Sequence, residues 1–343
     1  MKGGFMSRKS TILAVVALVA VSMSCTKQEP ADPAEEAWAA LGEAWNQAET
    51  AADKSTLAED YLAKFPDSEH SGSMASAIVY YRGHEMEDPQ GAYDVVSKAL
   101  ENIENPEQRF EVSMELLSLS DSVEVALDLA EVTGDLGAVR PLDYSEHQQV
   151  VETATDMEQW SLATEHAGAA VELATPENYR ADYPDREYTD DEVAERAQRR
   201  KALSLAYSGW AQYNLGEAQK AFALFAEADE AGSVSYLGVP DTPLYKYWGR
   251  AALGEGQIDR AIELLGAETV FGEEGWSSEG YLREAYSAKN DSQDGFDEFL
   301  WATRSRLATT VDDFELLDYE GNPVRMSNVA DGKVLLLAFW FPT

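Results

Sequence analysis

The chain has 343 residues and a formal net charge of −37, from 63 Asp and Glu against 26 Lys and Arg. That imbalance argues against nucleic acid and anionic lipid surfaces as partners, because both would be repelled. It suits solubility or a salty medium, with an acidic docking face for a basic partner as the alternative. An apolar share of 45% is enough to build a core, and the length suggests two domains.

Residues 1–24 read as a signal peptide. Arg8 and Lys9 supply a positive start, and Ile12 to Val21 is an apolar run too short to span a bilayer. Ser22-Met23-Ser24 then puts small residues directly before Cys25, the one cysteine in the chain. The arrangement resembles a bacterial lipoprotein signal, which implies that Cys25 becomes the lipidated N-terminus and the link to the membrane. The alternative is an ordinary secretory signal with an incidental cysteine. Either reading places the mature chain in the cell envelope or beyond it, periplasm-facing or surface-exposed, where disulfide chemistry is permitted. Residues 25–33 are polar and carry proline, as a tether does.

From residue 34 to about 308 the pattern is helical. Asp32-Pro33-Ala34-Glu35 and Asn105-Pro106-Glu107-Gln108 each offer a capping side chain, proline at the first helical position and an acid or amide at the third. Ser145-Glu146-His147-Gln148 and Thr189-Asp190-Asp191-Glu192 read as capping boxes. Gly209, Gly216, Ala221 and Phe225 recur forty residues later as Gly249, Gly256, Ala261 and Leu265. The spacing within each copy resembles a tetratricopeptide repeat: a small residue, a turn glycine, Ala five further on and a large residue four after that. A weaker copy runs through Trp160, Ala163, Ala167 and Ala170, and Tyr61 to Ser68 resembles the helix junction of envelope tetratricopeptide proteins. Residues 85–140 read as helical without a repeat, and an irregular bundle is the alternative for the whole body.

Little chemistry is written in this body. His70, His84, His147 and His166 show no metal-ligand spacing, and their glutamate neighbours should point away on a helix. Asp182, Asp185, Glu187, Asp190 and Asp191 crowd one loop, yet without the glycine and ligand order of a calcium loop. No metal and no cofactor are therefore expected. Tyr207, Trp210, Tyr213, Tyr245, Tyr247 and Trp248 sit at helical spacing and read as interhelix packing before a peptide groove.

Residues 309–343 change character. Asp313-Phe314-Glu315-Leu316 alternates as a half-buried strand does, Tyr319 to Pro323 is a turn, and Val324-Arg325-Met326 alternates again, giving a hairpin. Val334 to Phe341 is continuously apolar, as a central strand covered on both faces is. Such a strand needs neighbours and is an aggregation site without them, so the chain is expected to be part of a longer protein that continues past Thr343.

These residues resemble the opening of a thioredoxin-like domain of the TlpA/ResA, redoxin and AhpC/TSA families. The pattern is carried by Asp313-Phe314-Glu315-Leu316-Leu317-Asp318-Tyr319-Glu320-Gly321, then Gly332-Lys333, then Phe339-Trp340. Phe341-Pro342 is partly like the peroxiredoxin wording, so Phe339, Trp340, Phe341 and Pro342 mark the neighbourhood of an active site. The resemblance implies a cysteine motif just after that strand, following Thr343, where a helix N-terminus lowers the thiol pKa. No residue after Cys25 in this chain can serve as that thiol, so no catalytic residue is assigned within it. The fold class expected is thus mostly α: a tetratricopeptide-like array followed by an incomplete α/β thioredoxin-like domain. The function implied is envelope thiol–disulfide exchange, or peroxide reduction, with the body docking another envelope protein. A lipid-anchored scaffold without catalysis is the alternative, and this chain itself is expected to be inactive.

Overall fold

In a computed structural model the described residues are 32–120, 122–125, 127–232, 243–271, 278–307, 313–318 and 320–330. They are mostly helical, with one two-stranded sheet. The chain divides into two compact units, up to Gln293 and from Asp294 onward.

The first unit opens with α1 (Pro33–Gln47), α2 (Ala51–Lys64) and α3 (Ser71–Ile78), the last continuing as a π-helical turn over Val79–Glu85. α4 (Pro89–Leu100), α5 (Pro106–Leu117) and α6 (Leu129–Gly137) follow. Then come α7 (Tyr144–Asp156), α8 (Trp160–Leu173), α9 (Pro176–Asp182) and the long α10 (Asp190–Asn214). α11 (Ala218–Ala231), α12 (Leu244–Gly254), α13 (Ile258–Phe271) and α14 (Glu279–Asn290) complete it.

The caps follow from local chemistry. Asp32 accepts from the Ala34 N–H ahead of Pro33, and Asn105 accepts from Glu107 and Gln108 ahead of Pro106. Thr189 and Glu192 form the expected reciprocal box at the start of α10. The box expected at Ser145 forms two residues earlier. Asp143 accepts from the Glu146 N–H at 2.9 Å while the Glu146 carboxylate accepts from the Asp143 N–H at 2.8 Å. Arg140 grips Glu146 with two guanidinium nitrogens and so turns its carboxylate back toward Asp143. Thr50 with Asp53 forms a further box at α2.

The core is laid down in sequence-local clusters. The first gathers Ile78, Val79, Ala92, Val96, Val112 and Leu116 from the helices up to α5. The second joins α5 and α6 to α7 and α8 through Phe110, Leu129, Leu136, Val150 and Ala154. The third surrounds α10, α11 and α12 with Leu205, Trp210, Phe225, Leu244 and Tyr247.

Two helical hairpins, α10–α11 and α12–α13, are built alike. A Cβ placed on Gly209 would come within 2.6 Å of the Phe225 ring, and one on Gly249 within 2.6 Å of the Leu265 side chain. Each turn passes through a left-handed glycine, Gly216 at φ +85° and Gly256 at φ +70°, where a side chain would be strained. Each then closes with a six-residue backbone bond, Glu217 N–H to Gln212 O and Gln257 N–H to Ala252 O. The α7–α8 hairpin closes in the same way, Gln159 N–H to Ala154 O, with Glu158 in the left-handed region at φ 57°. There the positions matching Gly209 and Phe225 hold Val151 and Ala167, both buried, so the larger side chain has changed sides.

In the second unit α15 (Phe296–Leu307) precedes β1 (Glu315–Leu317), β2 (Pro323–Arg325) and a short α16 (Met326–Ala330). β1 and β2 pair antiparallel with Leu316 opposite Val324, so the expected hairpin is present. It is narrower than the alternation suggested. Leu316 and Leu317 are both exposed, and Met326 starts a helix instead of extending β2. The strand expected at Val334 to Phe341 lies outside the described residues.

Substituting Gly209→Ala forces a methyl group into the Phe225 ring and is expected to cost about 1–3 kcal/mol. Gly168→Ala, within α8 and with nothing within 4 Å of the added carbon, is expected to gain about 0.5–1 kcal/mol. Urea unfolding of both variants checks the contrast.

Candidate functional site

Cys25, the expected lipid attachment residue, lies outside the described residues. So do Phe339, Trp340, Phe341 and Pro342, the expected active-site neighbourhood, and Thr343, after which the cysteine motif is expected. The structure therefore places none of these residues. What it describes beside them is the hairpin that leads toward Phe339. Asp318 organises the turn: its Oδ1 accepts from the backbone N–H of Glu320 and of Asn322 at 2.9 and 2.8 Å, and Gly321 turns the chain at φ +85°. Those bonds, the Asn322 N–H first, hold the Asp318 carboxyl below its usual value. Asp313 accepts from the Ser327 N–H at 2.9 Å and from its hydroxyl at 2.8 Å, ties the start of β1 to α16, and is lowered for the same reason. The acids and the glycine of the motif therefore have structural roles that the spacing alone did not specify.

The aromatic residues of the body are packed between helices. Trp210 stacks on Tyr247 with centroids 5.1 Å apart and planes 7° apart, and on Tyr213 at 5.7 Å. Tyr207 meets Tyr247 edge-on, and Trp248 stacks on Phe225. Burial pushes the Tyr207 and Tyr247 hydroxyls well up, and pushes Tyr245 up to about 12 with help from Asp229. Arg250 lies over Trp210 and also over Tyr281 of α14, and Arg260 lies over Trp248.

The acid-rich loop is tied down by arginines. Asp182 pairs with Arg200, and Asp190 with Arg180. Arg200 is itself buried, its guanidinium over the rings of Tyr144, Tyr179 and Tyr183 at 4.3, 4.5 and 5.5 Å. A guanidinium sandwiched in this way offsets the cost of its burial with the ring faces and one carboxylate.

Two histidine clusters appear that sequence spacing did not reveal. His147 of α7 and His166 of α8 meet across the hairpin, Nδ1 to Nδ1 at 2.9 Å. One ring must donate and the other accept, which requires at least one neutral imidazole. Burial lowers both pKa values, against the opposing pull of Glu146, Asp143 and Glu165 on His147 and of Glu165 on His166. Glu146 is also desolvated, but the Arg140 fork and the Asp143 N–H outweigh that and hold it low. His70 sits in the turn before α3, where the helical rule for neighbouring residues does not apply. Its Nε2 lies 2.9 Å from Glu35 and 3.6 Å from its own neighbour Glu69. The weaker copy through Trp160, Ala163 and Ala167 is a signal that α8 belongs to a packed helix pair, but it does not fix how α7 and α8 are rotated and so does not reveal the His147–His166 contact.

No family model matches the chain, and no curated protein is significantly similar to it.

Because the His147 and His166 pKa values lie below the unfolded value of roughly 6.5, the unfolded chain binds more protons and acidification destabilises the fold. Between pH 7 and pH 5 the wild-type melting temperature is expected to fall relative to a His147→Gln/His166→Gln double variant. Parallel melting curves for the two proteins would contradict this.

Proposed function

We propose that this chain is the anchoring and docking part of an envelope thioredoxin-like thiol–disulfide oxidoreductase of the TlpA and redoxin type. In this reading Cys25 carries lipid, the helical body is a tetratricopeptide-like array that receives an envelope protein, and Asp313 begins the redox module. The observation that carries it is the Asp313–Ala330 hairpin. Its two acids and Gly321 each have a defined backbone role, which supports reading the motif as the built entry to a domain. The matched geometry of α10–α11 and α12–α13 supports the repeat reading of the body, since close helix pairs stacked in series present a continuous docking face. Among the described residues no helix is long and apolar enough to cross a membrane.

Thiol exchange needs a thiolate, and the one cysteine of the chain belongs to the anchor. The chain alone is therefore expected to leave insulin disulfides intact. The direct test is a chimera in which residues 313–343 replace the corresponding opening of an active thioredoxin-like reductase. Retained insulin reduction supports the reading, and its loss on Asp318→Ala would trace the effect to the turn. A folded but inactive chimera, or one that fails to fold, would overturn it. Separately, Cys25→Ser should move the mature protein from the membrane fraction to the soluble one.

A further inference from the structure

Three groups that ligate metals converge where α1 meets the turn between α2 and α3. Glu35 comes from the first turn of α1, and Glu69 and His70 close the turn before α3. His70 Nε2 lies 2.9 Å from the Glu35 carboxylate and 3.6 Å from that of Glu69, and the three ligand atoms all fall within 4.8 Å of one another. The imidazole is not free to swing. It lies flat on the Trp38 indole, centroids 4.0 Å and planes 10° apart, so Nε2 is held toward the two acids. The turn is fixed as well. Ser71 Oγ donates to the Phe65 carbonyl at 2.8 Å, and Ser68 is linked to both Ser71 and the Tyr61 hydroxyl.

The contact between His70 and Glu35 is of hydrogen-bond length, and the separations are also of the size that a shared ion imposes. A four-coordinate zinc with bonds of about 2.0–2.1 Å sets neighbouring ligand atoms about 3.3 Å apart. The two distances to His70 bracket that value. One imidazole with two carboxylates suits a borderline divalent ion, whereas calcium and magnesium select all-oxygen sets.

We propose that Glu35, Glu69 and His70 bind a zinc-like divalent cation, with water completing the coordination, and that the ion fastens α1 to the body. α1 has reason to need fastening. Its buried residues are Ala34 and Leu41, fewer than the other helices of its cluster bury. Bound metal would thereby fix the end of the body nearest the tether.

The test is hydrogen exchange by mass spectrometry on the mature chain, alone, with zinc chloride and with magnesium chloride. With zinc at about a hundredfold over its dissociation constant, amides of residues 33–47 are expected to exchange about a hundredfold more slowly if opening of α1 releases the ion. The protection should disappear in His70→Gln and in Glu69→Gln. The Glu69 side chain is 74% exposed, so the second variant keeps the fold whatever the first does. Equal protection by magnesium would reduce the effect to counter-ion screening and overturn the proposal. Protection confined to α7 and α8 would move the site to His147 and His166 and overturn it too, as would protection that survives Glu69→Gln.

Discussion

The close approach of α11 to α10 at Gly209 is the contact on which the first unit depends. With no side chain at that point the Phe225 ring sits directly against the α10 backbone and is fully buried. α10 is in contact with α7, α8 and α9, which precede it in the chain, and with α11 and α12, which follow. Its 25 residues include a buried polar series that ties α7 and α8 to it by hydrogen bonds. Ser204 reaches Gln148 of α7, Gln212 reaches Thr164 of α8, and the Arg200 carbonyl accepts from the Tyr144 hydroxyl. Moving Phe225 outward would shift α11 and break the Phe225–Trp248 stack through which it meets α12.

Charge imposes the second constraint. In a chain with so few cations, several arginines sit at joints between helices and serve more than one partner. Arg82 holds Glu59 and Asp88, and Arg140 holds Glu107 and Glu146. Arg200 combines three tyrosine faces with Asp182, and Arg250 bridges Trp210 of α10 and Tyr281 of α14. Isolated surface pairs contribute little, but a shared and half-buried guanidinium also packs, so its loss removes contact area as well as charge. These cations stand where acidic helices must meet.

Much of this was legible in the residues. The helical body, the proline-led caps at Asp32 and Asn105, the box at Thr189 and the forty-residue echo of Gly209 in Gly249 all follow from local rules, because a cap or a close contact demands a particular residue. The box at Ser145 was displaced to Asp143 because Arg140, which lies before the helix, decides where Glu146 points. The His147–His166 contact and the Glu35–Glu69–His70 cluster were not legible, since the first depends on how α7 and α8 are rotated against each other and the second on how the turn before α3 lies against α1. The hairpin after Asp313 was visible as alternation, while the roles of Asp313 and Asp318 as backbone acceptors needed coordinates. The residues with the strongest functional signal, Cys25 and Phe339 to Thr343, rest on resemblance alone.

Native-state hydrogen exchange over a urea series tests most directly whether α10 is the element on which the helical body depends. If it is, the Ser204–Gln212 amides exchange only through global unfolding, and the interior of α11 opens with them. Exchange of those amides through a local opening, while α2 to α5 stay protected, would show that the body is held together elsewhere and contradict this role for α10.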